Sequence, residues 1–270
     1  MASFKPYRVN SNGKFKLSRI DPGDTPFAQG SEDQQREQLT ELAIELDKLQ
    51  NRLHAEGRRK VLLVLQGMDT SGKDGTIRWV FSRTSPLGVR VIPFKVPSEL
   101  ERAHDFLWRC HAVVPGSGQL MIWNRSHYED VLVPVVEELI DKKETQRRYR
   151  QINDFERLLV ETGTTVIKCM LHISSDEQRT RLQERIDTPG KQWKFSRGDL
   201  AVRLKWDAYQ SAYEKALAAT STEHAPWHVI PANGKTHRNL MIAQLLVRSL
   251  KDMKLQLPPA DPALKGLVVT

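Results

Sequence analysis

The amino-acid sequence predicts an α/β protein in which helices cover both faces of a parallel β-sheet. Short apolar runs rich in Val, Leu and Ile alternate with longer amphipathic segments along the 270 residues. Such alternation is typical of parallel sheets, because helices form the crossover connections between their strands. We find no internal repeat and no linker, so we expect one domain, residues 31–257, between an N-terminal arm (1–30) and a loosely held C-terminal tail (258–270).

The elements follow one another in a regular order. The first 30 residues are polar and rich in turn signals, which predicts an extended arm, and leucines at steps of three and four predict a helix over 31–56. Strands are predicted at 61–65, 89–94, 119–123, 165–173 and 227–230. Further helices are predicted from Ile77, over 99–111, 144–161 and 175–186, from Asp199 as N-cap to about Ala219, and over 236–253.

The most informative segment joins the first strand to its helix. It has the layout Gly-x4-Gly-Lys, a P-loop, in which backbone N–H groups and a lysine hold phosphate at a helix N-terminus. The glycines let the backbone approach the phosphate closely. Asp74 stands where an ordinary P-loop has the Ser or Thr whose hydroxyl binds Mg²⁺, which counts against a common ATPase. The predicted phosphate-binding residues here are Gly67, Gly72, Lys73, Asp74, Gly75 and Thr76.

A second cluster follows the third strand, at Asn124 and Arg125. Ligands of parallel sheets bind beyond the carboxyl ends of the strands, so these residues should lie beside the P-loop. Arg125 suits the charge that develops on a transferring phosphoryl group. Asn124 offers a metal only a neutral carbonyl, so we look to Asp69 for the anionic ligand, although Asp69 could instead orient the acceptor. The structural alternative is a capped loop leading into a helix.

A third cluster is basic. Arg181 and Arg185 are spaced i,i+4 on one helix, and Lys191 and Lys194 follow in a loop that contains Trp193. Individually such residues are usually solvated surface charges. Their convergence on a sheet with a P-loop predicts a lid over phosphates at about residues 185–200, with Trp193 packing the lid or contacting a base.

The composition narrows the class of protein further. The net charge of +8 favours a polyanionic partner, although a protein can also be basic without one. No apolar run approaches the ~20 residues of a membrane span, and the N-terminus lacks the apolar core of a signal peptide. The two cysteines, Cys110 and Cys169, lie in apolar segments, and no metal-binding spacing of His and Cys occurs. We therefore expect a cytoplasmic protein with no membrane partner.

Several ordered motifs together resemble the second family of polyphosphate kinases, over about residues 5–257. They are the loop Gly67–Gly75, Pro97-Ser98 with His104–Arg109, Asn124–Asp130, Ile152–Glu156, Lys168–Ile173, Glu184-Arg185, and Pro189–Ser196 with Asp199. The resemblance implies a three-layer P-loop kinase fold, similar to thymidylate kinase, with a helical lid. It also implies transfer of phosphate between inorganic polyphosphate and nucleotides with Mg²⁺ (or Mn²⁺), and it matches Asp69, Lys73, Arg125 and Arg185 to essential positions.

Within that family, Asn124 with the residues up to Asp130 is similar to the third class, whose members accept nucleoside mono- and diphosphates. This likeness implies conversion of AMP to ADP and of ADP to ATP, and it ties Glu129 to the acceptor. Lys191 and Lys194 would contact phosphates from the lid. We further expect adenine and guanine nucleotides as substrates, a homo-oligomer (dimer or tetramer), and no nucleic-acid partner.

Two other classes remain open at this stage. An ATP-dependent nucleoside or nucleotide kinase shares a P-loop and an arginine after the third strand, but it should carry Ser or Thr at position 74. A nucleic-acid-binding module with a degenerate P-loop is favoured only by the pI of about 9.5. Its cations would line an aromatic-studded face, whereas these cluster near the phosphate loop.

Overall fold

The fold is described from a computed structural model that covers residues 2–11 and 13–269. The predicted arm and tail also include Met1, Asn12 and Thr270, which lie outside the described residues. Five parallel strands form one sheet in the order β2-β3-β1-β4-β5. They are β1 (Lys60–Gln66), β2 (Val89–Pro93), β3 (Leu120–Asn124), β4 (Thr164–His172) and β5 (Trp227–Pro231).

The described part of the chain contains ten α-helices, and six of them pack in two layers around this sheet. One layer joins α1, α2 and α10, and the other joins α5, α6 and α9. The predicted three-layer α/β fold is therefore confirmed. The helices are α1 (Glu32–Glu56), α2 (Lys73–Val80), α3 (Glu99–Arg102), α4 (Trp108–His111), α5 (Glu129–Val136), α6 (Lys142–Glu161), α7 (Ser175–Asp187), α8 (Arg197–Leu204), α9 (Trp206–Thr220) and α10 (Lys235–Asp252).

Strands β1 and β4, whose carboxyl ends lie at the site, are almost completely buried. Six of the seven residues of β1 and eight of the nine of β4 are buried, so neither strand alternates between buried and exposed residues. Register brings Leu65 of β1 opposite Asn124 of β3 and Gln66 opposite Met170 of β4. The carboxyl ends of the three central strands therefore meet at one edge, directly below the P-loop.

The N-terminal arm packs against the body. Tyr7, Val9, Leu17 and Phe27 are buried, and the Val9 N–H donates to the Trp227 carbonyl at 2.9 Å. The arm thereby covers the outer edge of β5. The predicted C-terminal tail is exposed from Gln256 to the last described residue.

The helices differ from the predicted ones in four places. The single helix predicted over 99–111 is two short ones, because Asp105 accepts the Leu107 N–H at 2.9 Å and starts a new turn. Helix α8 begins at Arg197, capped by Ser196, so the N-cap predicted at Asp199 is wrong. The chain breaks at Lys205 before α9, and α5 was not predicted. Among the described residues, no helix is both long and apolar enough to cross a membrane.

Candidate active site

The P-loop connects β1 to α2, as its sequence predicted. The Lys73 ammonium is folded back onto the loop, where it donates to the carbonyls of Gly67 at 2.7 Å and Met68 at 3.2 Å. Burial, followed by repulsion from Arg125, lowers the pKa of Lys73 to about 8, against the attraction of nearby carboxylates. A buried ammonium that bonds only loop oxygens is well placed to exchange them for phosphate oxygens.

Two glycines are required by close contacts in this loop. Gly67 has φ +147° and packs so tightly that an added Cβ would lie 2.6 Å from the Leu171 carbonyl oxygen. Gly72, at φ +103°, leaves the space that the Arg238 guanidinium fills, since an added Cβ would lie 1.9 Å from its Nη1. The spacing of the glycines is therefore needed for the loop itself, independently of any ligand.

Two buried arginines support the loop from outside its own sequence. Arg181 of α7 donates to the carbonyls of Thr70 at 2.9 Å and Ser71 at 3.2 Å, and also to Ala232 at 2.7 Å. Arg238 of α10 donates to the Ser71 carbonyl at 3.3 Å. Arg181 was predicted only as a member of the basic cluster, and Arg238 was not predicted. The helix that carries Arg238 has a mixed composition, which does not indicate that one of its side chains contacts a carbonyl 167 residues away.

The end of β3 meets the P-loop as predicted. The Asn124 amide donates to Asp74 Oδ1 at 2.7 Å, so Asp74 is tied to the neighbouring strand rather than left free. Arg125 forms ion pairs with Asp69 and, at 3.2 Å, with Glu129. Burial opposes the charge of Arg125, but Glu129 and Asp69 outweigh it and raise its pKa. Its backbone is left-handed at φ +63°, an unfavourable conformation for a non-glycine residue that is typical of functional sites.

The predicted lid is a short 3₁₀ segment, Pro189–Lys194, followed by α8. Arg185 pairs with Asp199 at 3.2 Å and donates to the Lys194 carbonyl at 3.1 Å. Lys191 pairs with Glu184, which also lies 3.7 Å from Lys235. Trp193 is 79% exposed, so it does not pack the lid onto the body.

These elements enclose a cleft of about 540 Å³ between the P-loop and the lid. Cationic side chains around it outnumber carboxylates two to one. Ten of the thirteen predicted site residues line this cleft: Asp69, Gly72, Lys73, Asp74, Gly75, Asn124, Arg125, Arg185, Lys191 and Lys194.

Three predicted residues are not on that cleft. Gly67 and Glu129 line a small adjoining cavity of about 50 Å³. There the Glu129 carboxylate pairs with Arg125. Thr76 is fully buried, and its N–H donates to the Gly72 carbonyl in the first turn of α2. The P-loop pattern could not reveal this, because the phase of α2 turns Thr76 toward the core.

Two carboxylates of the cleft could hold a divalent metal ion together with a bound phosphate. No group of three or more His, Cys, Asp or Glu residues arranged for a metal occurs among the described residues. Asp69 and Asp74 are the carboxylates beside the P-loop lysine. Mg²⁺ in phosphoryl-transfer sites is commonly bound by one or two carboxylates with waters and phosphate oxygens, so this donor set fits it.

A parallel sheet with a P-loop after its central strand, an arginine beyond the next strand and a lid defines a P-loop kinase. Residues 29–258 match the family described as Polyphosphate kinase 2 (PPK2), and the chain belongs to that family. The resemblance inferred from the sequence motifs is thereby confirmed.

Known proteins similar to this chain agree with that assignment. It is 52% identical over 265 residues to the AMP/ADP-polyphosphate phosphotransferase of Meiothermus ruber, covering 98% of this chain and 99% of that protein. It is 40% identical to the ADP-polyphosphate phosphotransferase of Rhodopseudomonas palustris, over 96% of this chain and 93% of that one. The crystal structure of Polyphosphate Kinase 2 from Arthrobacter aurescens TC1 superposes with a TM-score of 0.91 at 46% identity, over 94% and 91% of the two chains.

Proposed function

We propose that this chain transfers the terminal phosphate of inorganic polyphosphate to AMP and to ADP, a reaction that is reversible in principle. The observation that carries the proposal is the extended, cation-rich cleft that runs from the P-loop to the lid. A compact nucleotide needs few of these charges, whereas a chain of phosphates contacts several at once. The Meiothermus ruber relative is an AMP/ADP-polyphosphate phosphotransferase, which supports both acceptors.

Each charged residue has a role that follows from its position. Lys73 would grip the transferring phosphoryl group once its loop carbonyls are exchanged for phosphate oxygens. Arg125 would neutralise the charge that develops on that group, because phosphoryl transfer depends on positioning and electrostatic stabilisation more than on covalent help. Arg185, Lys191 and Lys194 would hold the donor chain from the lid.

Asp69 is the proposed Mg²⁺ ligand, with Asp74 as the second carboxylate at the loop. The metal would supply positive charge that offsets the charge of the phosphates during transfer. Asp69 also pairs with Arg125, so the same carboxylate orients the arginine. Glu129 makes the second contact to Arg125, so we assign it the orientation of that arginine rather than direct contact with the acceptor.

The dual acceptor range requires tolerance of a shift by one phosphate. Lys191 and Lys194 are suited to this, because lysine acts as a movable point charge where arginine offers a rigid fork. Both lie in the partly exposed lid segment. Use of guanine nucleotides, cytoplasmic location and assembly into a dimer or tetramer remain predictions.

A comparison of phosphate donors tests the proposal against an ATP-dependent nucleotide kinase. The purified chain is supplied with isotopically labelled AMP and Mg²⁺, and either polyphosphate or ATP as the only donor. We expect labelled ADP with polyphosphate and at most a trace with ATP. Comparable rates with ATP, or none with polyphosphate, would assign the cleft to an ordinary nucleotide kinase.

A further inference from the structure

A fully buried group of charged and polar side chains lies behind the cleft. Glu156 of α6 accepts hydrogen bonds from the Lys168 ammonium of β4 at 2.5 Å and from the Tyr128 hydroxyl at 2.7 Å. Lys168 also donates to the Tyr128 oxygen at 2.9 Å and to the Thr220 carbonyl at 2.8 Å. Its ammonium lies 5.4 Å from the centre of the Tyr128 ring. Glu156, Lys168 and Tyr128 form what we call the buried triad.

The presence of the buried triad is not explained by a contribution to the stability of the fold. Removing two charges from water is costly, and well-packed apolar residues in place of a buried ion pair are often neutral or stabilising. Burial would raise the pKa of Glu156, but Lys168 and then His127 outweigh it and hold that pKa below its usual range. Burial lowers the pKa of Lys168 itself, against the attraction of Glu156. His127 lies 3.3 Å from Glu156 but not in line for a hydrogen bond, and its ring nitrogens have no such partner among the described residues.

The position of Tyr128 in the chain connects the triad with the cleft. It lies three residues after Arg125, and α5 begins at the next residue, Glu129. These are the arginine and the carboxylate that pair at 3.2 Å beside the P-loop. The turn between them is tied down at Ser126, whose hydroxyl oxygen accepts from Gln66 at 3.1 Å and from the Tyr128 N–H at 3.2 Å.

The turn needs such support because of its backbone. Arg125 is left-handed, a conformation that persists only where the surroundings fix it. The triad holds the far end of this turn to α6, β4 and the end of α9, through Glu156, Lys168 and the Thr220 carbonyl. Loss of the triad would free the turn to relax without opening the core.

We propose that Glu156, Lys168 and Tyr128 are positioning residues that fix the angle at which Arg125 meets the transferring phosphoryl group. They touch no substrate and act through the turn Arg125–Glu129. This inference rests on the proposed function, since it assigns Arg125 to phosphoryl transfer. It predicts an effect on turnover rather than on the binding of either substrate.

The test replaces the triad with apolar residues of similar size. The variant Glu156→Leu/Lys168→Met/Tyr128→Phe should remain folded, with a melting temperature close to that of the wild type or above it. Its kcat should fall by about tenfold or more, because small misplacements of catalytic groups cost up to about 10²-fold. KM for polyphosphate and for nucleotide should stay within about twofold, since the phosphate cations are unaltered.

The matched control removes an exposed ion pair from the same helix. Asp154 and Arg157 pair at 2.9 Å on the surface of α6, with side chains 61% and 57% exposed. Asp154→Asn/Arg157→Gln should leave kcat and both KM values unchanged. A triad variant that is folded and turns over at the wild-type rate would overturn the positioning role while leaving the transferase activity intact.

A second measurement separates positioning from a general effect on the core. In an Arg125→Lys background, the triad substitutions should lower kcat little further, because they act through an arginine that is already gone. Equal losses in both backgrounds would overturn the proposal. If the triple variant does not fold, Tyr128→Phe alone carries the same comparison, with a loss of about threefold or more expected only where Arg125 is present.

Discussion

Lys73 allows a prediction that separates its role in binding from its cost to the fold. The change is Lys73→Met, which keeps the length of the side chain and removes the charge. Transfer should fall by roughly 10²–10³-fold or more, the loss typical of removing one preorganised electrostatic group. The fold should survive, because the ammonium contacts loop oxygens and not the apolar core.

The stability of the same variant should depend on pH in a defined way. The pKa of Lys73 is about 8 in the folded chain, against 10.5 for the ordinary side chain. Between these values the unfolded chain binds more protons, so the free energy of unfolding of the wild type rises with pH across this window. Integration from about pH 7.5 to about pH 9.5 gives a gain of about 2 kcal/mol that the Met variant lacks.

Urea unfolding of both proteins at several pH values measures this difference, because titration of every other group cancels in the comparison. Lys60→Met, a partly exposed lysine at the start of β1, is the matched control and should retain wild-type turnover. Parallel curves for the wild type and Lys73→Met would refute the buried, destabilised ammonium. Wild-type turnover in a folded Lys73→Met would refute its role in binding phosphate.

Three further predictions follow from the cleft. Asp69→Asn should lower kcat by about 10²-fold or more and raise the Mg²⁺ concentration needed for half-maximal rate; an unchanged Mg²⁺ titration would move the ligand to Asp74. Gly72→Ala should lower the melting temperature more than Gly163→Ala. Both glycines have positive φ, but only the added Cβ at Gly72 meets a side chain, that of Arg238, at 1.9 Å. Equal losses of melting temperature would argue against that contact. Polyphosphate binding should weaken with salt far more steeply than nucleotide binding, and parallel slopes in a titration series would contradict the cation-rich cleft.

Most of the central sheet was predictable because β1, β3, β4 and β5 are buried on both faces. An unbroken apolar run such as residues 61–65 has few alternatives to a buried strand, and the P-loop glycines mark where β1 ends. Boundaries set by single side chains were not predictable. Asp105 divides one predicted helix, and Ser196 rather than Asp199 caps α8, because several residues of each segment could serve as caps.

The burial of single aromatic side chains was no more predictable. Trp79 of α2 and Trp108 of α4 are large apolar residues, yet they are 57% and 40% exposed. Periodicity assigns a residue to a face of a helix, but it cannot show whether another element covers that face. The short helices that carry these residues leave their outer sides open.

The residues of the site were likewise only partly predictable from the sequence. Residues next to the P-loop and β3 in sequence were found, since the ends of parallel strands must meet. Arg181 and Arg238 were not assigned to the loop, because they reach its carbonyls from helices far along the chain. Glu129 was assigned to the acceptor, while its contact in the structure is Arg125.

The measurement that tests the account most directly is a time course of products from AMP. The chain is mixed with AMP, an excess of polyphosphate and Mg²⁺, without ATP or any added adenylate kinase, and nucleotides are separated at intervals. ADP should accumulate first and then give way to ATP, because one cleft accepts both nucleotides. Accumulation of ADP with no ATP after long incubation, or use of ADP but never of AMP, would contradict it.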